Sequence, residues 1–133
     1  MKTITIKTNN TQELLDITSE IATIAEEANI QTGTITIYTP HTTTAITINE
    51  SYDPDVKEDF IKQLSKIIPL KNNYKHAEGN SHAHIKSSII GNSRTIIIDD
   101  GKLQLGTWEG ITFCEFDGPR TRKLYIQMIN QKS

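Results

Sequence analysis

Four histidines make up the whole imidazole complement of this chain, and two of them, His82 and His84, stand one residue apart in "GNSHAHIKSS" (79–88). Imidazole changes charge near neutral pH and is the commonest transition-metal ligand; three such groups plus water make an open catalytic site. Residues i and i+2 of a strand point to the same face. A strand over 82–90 would therefore aim both rings one way, with Ala83 and Ile85 opposite. The pair reads as half of a metal site, as a proton-transfer device, or as two polar residues of a solvated strand, and spacing alone does not choose. His41, at a proline-bounded strand junction, and His76, in a polar loop, are the candidates to join them.

Carboxylates and cations supply the other candidates. Glu50, Asp53 and Asp55 gather between a strand and a helix. Helix capping and dipole compensation account for Asp53 and Asp55, but not for Glu50. "EFDGPRTR" (115–122) joins Glu115 and Asp117 to a Gly-Pro turn and to Arg120 and Arg122, spaced to share one side of the next strand. Guanidinium groups bind phosphate bidentately; the rival reading is a turn closed by a salt bridge. Lys86, Ser87 and Ser88 would add phosphate contacts. Trp108, the only tryptophan, lies between Gly106 and Gly110 and reads as core or subunit contact. Cys114 falls in an apolar strand pattern and reads as a buried, inert thiol. There is no Walker loop, dinucleotide fingerprint or nucleophile elbow.

The elements that must position these groups follow from period. "KTITIKT" (2–8), "TITIYT" (34–39) and "TTAITINE" (43–50) alternate as half-buried strands, the last two forming a hairpin or one strand bent at Pro40. Leu14, Ile17, Ile21, Ile24, Ala25 and Ala28 share a helical stripe, with Asn10 and Glu13 as a capping box. A second helix runs through "DPDVKEDFIKQLSKIIP", capped by Asp53, opened by Pro54, closed by Pro69, and burying Val56, Phe60, Leu64, Ile67 and Ile68. Further strands are expected at 82–90, 94–99, 102–106, 110–116 and 121–130, with "DDGK" (99–102) as a hairpin turn. The result is α+β: a largely antiparallel sheet covered by two main helices. The strands outnumber what two helices can cover, so a second sheet or another subunit must cover the rest.

The 133 residues suit one domain, 1–133, with one core. A net charge of −2 gives no global attraction for nucleic acid or a membrane surface. A single cysteine excludes an internal disulfide framework and fits a reducing compartment. The start "MKTITIKTNN" lacks the apolar core of a signal peptide, and no run approaches the roughly 18 apolar residues of a membrane span. A cytoplasmic protein with a small-molecule partner is expected.

Three blocks, "PHTTTAITINE…DPDV", "YKHAEGNSHAHIKSSIIG" and "GKLQLGTWEGITFCEFDGPRTR", resemble in order the signature blocks of the YjbQ family. The resemblance implies an α+β, β-sandwich-like fold assembled as a homotrimer, and clefts between its subunits are the leading hypothesis for the sites. It also implies a secondary thiamine-phosphate synthase activity, which couples hydroxymethylpyrimidine diphosphate to thiazole phosphate. The family's histidines map onto His41, His76 and His84, as a divalent-metal or proton-transfer triad; its amide and acidic positions map onto Asn49, Glu50 and Glu115. His82 falls where members vary. Two departures stand out: Glu109 replaces the usual glutamine, and the loop before "HAHIKSS" is short. His41, His84, Glu50 and Glu115 are then the catalytic candidates, and Asn49, Lys86, Ser87, Arg120 and Arg122 the phosphate-binding ones. Diphosphate chemistry calls for oxygen-bound Mg²⁺, whereas a histidine cluster suits a zinc-like ion. The rival readings are a metal-dependent hydrolase of a phosphorylated or amide metabolite, and a metabolite-binding protein without catalysis.

Overall fold

Alternating isoleucines build the first layer. In the computed structural model, which describes residues 1–132, strand β1 (Lys2–Lys7) turns Ile4 and Ile6 inward. Strands β3 (Gly33–Tyr38), β5 (Ser93–Asp99) and β8 (Thr121–Asn130) do the same with Ile35 and Ile37, Ile96 and Ile98, and Leu124 and Ile126. Register sets these side chains in cross-strand rows, with Ile35 opposite both Ile96 and Met128, and Ile37 opposite Ile126. With the short β6 (Lys102–Leu103) they form an antiparallel sheet of order β1-β8-β3-β5-β6. The β5–β6 hairpin turns at Asp100 and Gly101, both with positive φ, as "DDGK" predicts.

A second sheet, order β2-β7-β4, is made of β2 (Glu13–Asp16), β7 (Glu109–Glu115) and β4 (Thr44–Glu50). Its inner face sends Leu15, Ile46, Ile48, Ile111 and Phe113 into the main core, together with Ile21, Ile24 and Ala25 of helix α1 (Thr18–Glu27). A fully buried isoleucine such as Ile46, Ile111 or Ile21 contributes about 1.5–3 kcal/mol. The outer face presents Ala45, Cys114 and, just past β7, Phe116 to a second, smaller core. That core is closed by Leu64 of helix α2 (Pro54–Ile67) and by Ala83 and Ile90 of helix α3 (Ser81–Ile90).

Three expectations change. First, 81–90 is a helix and not a strand, so the described residues hold three helices where two were expected. Second, residues 13–16 are a strand: Leu14 packs on the smaller core and Leu15 on the main one, opposite faces as period 2 demands. Glu13 accepts from Asn9 N at 3.0 Å and from Asn10 Nδ2 at 2.8 Å, so the supposed capping box closes a turn before a strand. Third, β3 and β4 lie in different sheets, and residues 39–43 form the corner between them. α2 has its expected ends, with Asp53 accepting from Asp55 N at 2.9 Å and Pro54 in the first turn. Its apolar stripe is only half covered: Val56 and Ile67 are exposed, and Ile68 alone of the five is fully buried.

Candidate functional site

The corner between the sheets carries His41, and α3 carries His84 toward it. Both line a cleft of about 470 Å³ together with Tyr38, Pro40, Ser87 and Ser88. A larger groove of about 640 Å³ between β1 and α1 mixes isoleucines such as Ile4 and Ile24 with polar residues such as Lys2 and Glu20, and holds no imidazole.

His41 owes its pose to Pro40. Tyr38 pairs with Tyr125, so continuing that register would set Pro40 opposite Lys123. The chain instead leaves the ladder, and the Lys123 amide donates to His41 Nε2 at 2.9 Å. Partial burial lowers the pKa of His41; Arg122, Lys123 and Arg120 lower it further, against the opposing pull of Glu115. His84 meets His76 edge-on, ring centroids 5.4 Å apart and planes at 85°. His76 Nε2 lies 3.7 Å from Glu78 Oε2.

Because α3 is a helix, His82 and His84 are separated by roughly 200° of rotation and face different surroundings. His82 is buried, with Nδ1 3.2 Å from Lys86 Nζ one turn on. Burial and then Lys86 lower the pKa of His82, with Asp117 opposing. Lys86 is fully buried. Its ammonium reaches Gln12 Oε1 at 3.0 Å, Ser65 Oγ at 3.2 Å and the Phe116 ring at 5.9 Å. Three neutral acceptors satisfy its three donors, and burial lowers its pKa. This lysine does not line the cleft, and its contacts brace α3 against α2. Ser87 does line the cleft, while its hydroxyl donates to Thr44 O at 2.5 Å.

The acidic and basic candidates separate by position. Glu115 and Arg122 are buried and bonded to each other, Arg122 Nε to Oε1 at 2.8 Å and Nη2 to Oε2 at 2.5 Å. Thr8 donates to the same carboxylate at 2.8 Å, and Arg122 Nη2 donates to Thr43 Oγ1 at 2.9 Å. The pair thus underpins the His41 corner from inside. Arg120 precedes β8, is exposed, and bonds Asp117 O at 2.9 Å and Asp117 Oδ2 at 3.3 Å. The two arginines therefore do not share a strand face.

Asn49 and Glu50 sit at the far end of β4, about 20 Å along the strand from Thr44. There Asn49 Oδ1 accepts from Glu50 N at 2.6 Å, and Glu50 Oε2 accepts from Tyr52 N at 2.5 Å and Asp53 N at 3.2 Å. One chain does not bring them to the histidine cleft. Glu109 closes its own turn, accepting from Gly106 N at 2.7 Å. Cys114 is buried, its thiol pushed up to about 12 by desolvation. Trp108 lies outside the core, exposed and edge-on to Tyr52 at 5.8 Å. Among the described residues, no group of three or more His, Cys, Asp or Glu side chains is placed to hold a metal ion, and no helix is long and apolar enough to cross a membrane.

A family model, UPF0047 protein YjbQ-like, matches residues 2–131. The chain belongs to the YjbQ/UPF0047 family. Among its relatives, a UPF0047 protein of Methanocaldococcus jannaschii is 56% identical over 127 residues, covering 96% of this chain and 92% of the relative. YugU of Bacillus subtilis is 49% identical over 130 residues, covering 97% and 98%. A YjbQ/UPF0047 crystal structure from Clostridium acetobutylicum superposes with a TM-score of 0.95 at 48% identity, covering 97% of this chain and 100% of that one. A hypothetical protein of Aeropyrum pernix gives 0.93 at 33%, covering 98% of each. These names give a family and a fold rather than a reaction. Reasoning from the sequence missed two features of this cleft: the Lys123 amide as partner of His41, and the helical rotation that parts His82 from His84. Asn80 before the helix and Gly91 after it were the available signals for the second.

Proposed function

We propose that the protein is an enzyme acting on a small phosphorylated metabolite in the His41–His84 cleft. The observation that carries this reading is the charge around His41. Lys123 and Arg120 stand beside it and Arg122 behind it; Arg122 is paired with Glu115 and Arg120 with Asp117, so among the described residues Lys123 is the cation there with no carboxylate partner. Such charges lie beside the cleft rather than in its lining, where they would draw a phosphate toward His41. His84, edge-on to His76, supplies an imidazole for proton transfer.

The resemblance directs the first assay. Joining hydroxymethylpyrimidine diphosphate to thiazole phosphate breaks the bond from the methylene carbon to diphosphate and forms one from that carbon to the thiazole nitrogen. The protein must neutralise departing diphosphate and position the nitrogen. A divalent ion can enter with the diphosphate, held by its oxygens rather than by histidines. Coupled product is expected with both substrates and Mg²⁺, and a large loss of turnover in His84→Ala. Pyrophosphate titrated calorimetrically should bind, and Arg120→Ala or Lys123→Ala should weaken it roughly tenfold, as for one lost charged contact. Phosphate release from single phosphomonoesters would instead assign a hydrolase. Binding without turnover of either kind would assign a carrier, and failure of pyrophosphate to bind would sink the phosphorylated-ligand reading altogether.

A further inference from the structure

We infer that His41 works as a neutral hydrogen-bond donor through Nδ1–H, and neither as a base nor as a metal ligand, because the Lys123 main-chain amide occupies its Nε2. The inference deepens the reading above, since it names the part His41 plays toward a ligand in that cleft. A backbone N–H can only donate. The bond from Lys123 N to His41 Nε2, at 2.9 Å, therefore places the lone pair on Nε2. A neutral imidazole has one donor and one acceptor nitrogen, so the ring proton sits on Nδ1.

The pose is built in rather than incidental. Pro40 ends the β3–β8 ladder before Lys123 is paired, and the His41 ring takes the place of the missing strand carbonyl. Turning the ring to free Nε2 would leave a ladder amide without a partner. Partial burial, then Arg122, Lys123 and Arg120, oppose a second proton on the ring, against the pull of Glu115. Loss of the Nδ1 proton would leave an imidazolate. What remains is donation without transfer, to an acceptor such as a phosphate oxygen. Proton transfer in the cleft then falls to His84 and His76, and a three-histidine metal centre within one chain loses its first member.

Histidine-selective ¹⁵N labelling and a long-range ¹H–¹⁵N correlation at neutral pH test this on the ligand-free protein, so the result does not depend on whether any phosphorylated compound binds. With His41 assigned by His41→Gln, the spectrum should show a proton on Nδ1 and none on Nε2, unchanged by stoichiometric zinc. A proton on Nε2, protons on both nitrogens, or zinc-induced loss of the His41 Nδ1–H signal would overturn the inference.

Discussion

Behind His41, the Glu115–Arg122 pair is sealed from solvent and shares hydrogen bonds with Thr8 and Thr43. Burying two charges is costly, and removing one partner leaves the other uncompensated. Glu115→Ala should therefore destabilise the fold by about 3–5 kcal/mol, read by urea denaturation; a loss near zero would mean that the pair is solvated. Its effect on turnover would follow from displacement of the His41 corner, so Arg122→Ala should mimic it. The two lowered histidines make a pH prediction. Folded His41 and His82 bind protons less readily than the ordinary imidazole value of 6.5, so the unfolded chain takes up more protons as pH falls. Stability is fully present above about 6.5 and is lost as pH drops through the lower folded values. Thermal unfolding followed across pH should show a plateau from neutrality up to the ordinary thiol value of 9.0, above which the raised Cys114 thiol costs stability, and a decline below neutrality that His82→Gln should flatten. A melting temperature that rises on acidification from neutrality would contradict both shifts.

At the scale of elements, α3 decides which residues share the cleft, and its end is set by Gly91, with φ 100° and ψ 157°. That region is essentially closed to other residues, at a cost of about 1–3 kcal/mol. Gly91→Ala should lower stability by that amount in urea, and weaken pyrophosphate binding by moving His84 and Ser87; unchanged values in both measurements would remove Gly91 from the site's support. The same helix marks where the sequence was hard to read. Strands β1, β3, β5 and β8 follow from apolar residues at period 2 that match the buried face, and α2 follows from its end signals Asp53, Pro54 and Pro69, although its apolar stripe is only half covered. In α3 it does not: small Ala83 and Ser87 pack inward while Ile85 and Ile89 stay exposed. The apolar residues therefore mislead, although Asn80 and Gly91 bracket the helix correctly. β2 failed for a related reason, since a four-residue strand buried on both faces by Leu14 and Leu15 has no visible alternation. Of the three histidines the resemblance picks out, His41 and His84 line one cleft, and His76 meets His84 edge-on without lining it. The separation of Asn49 and Glu50 from it depends on β4 running away from the corner, and the Lys123 amide carries no side-chain signature at all.

For the whole molecule, the outer face of the larger sheet raises the question of what covers it. Exposed isoleucines scattered singly are normal on protein surfaces, but contiguous apolar patches mark interaction sites. Here Ile129, Thr34 and Ile97 form one cross-strand row over β8, β3 and β5, the isoleucines 66% and 62% exposed. They line a shallow depression of about 600 Å³. The resemblance implies a homotrimer, and a flat, uncharged row on central strands is a surface that such an assembly could bury. Sedimentation equilibrium should therefore return three times the 15.0 kDa chain mass. Placing a carboxylate in the row, as Ile97→Asp or Ile129→Asp, should shift the population toward monomer with the secondary structure intact by circular dichroism, because an unpaired charge in a closed interface is strongly disfavoured. A trimer that survives both substitutions would place the contact elsewhere, with the exposed Tyr52–Trp108 pair as the next face to change. A wild-type chain that sediments as a monomer would remove the trimer expectation, and leave Asn49 and Glu50 with no subunit boundary across which to reach the histidine cleft.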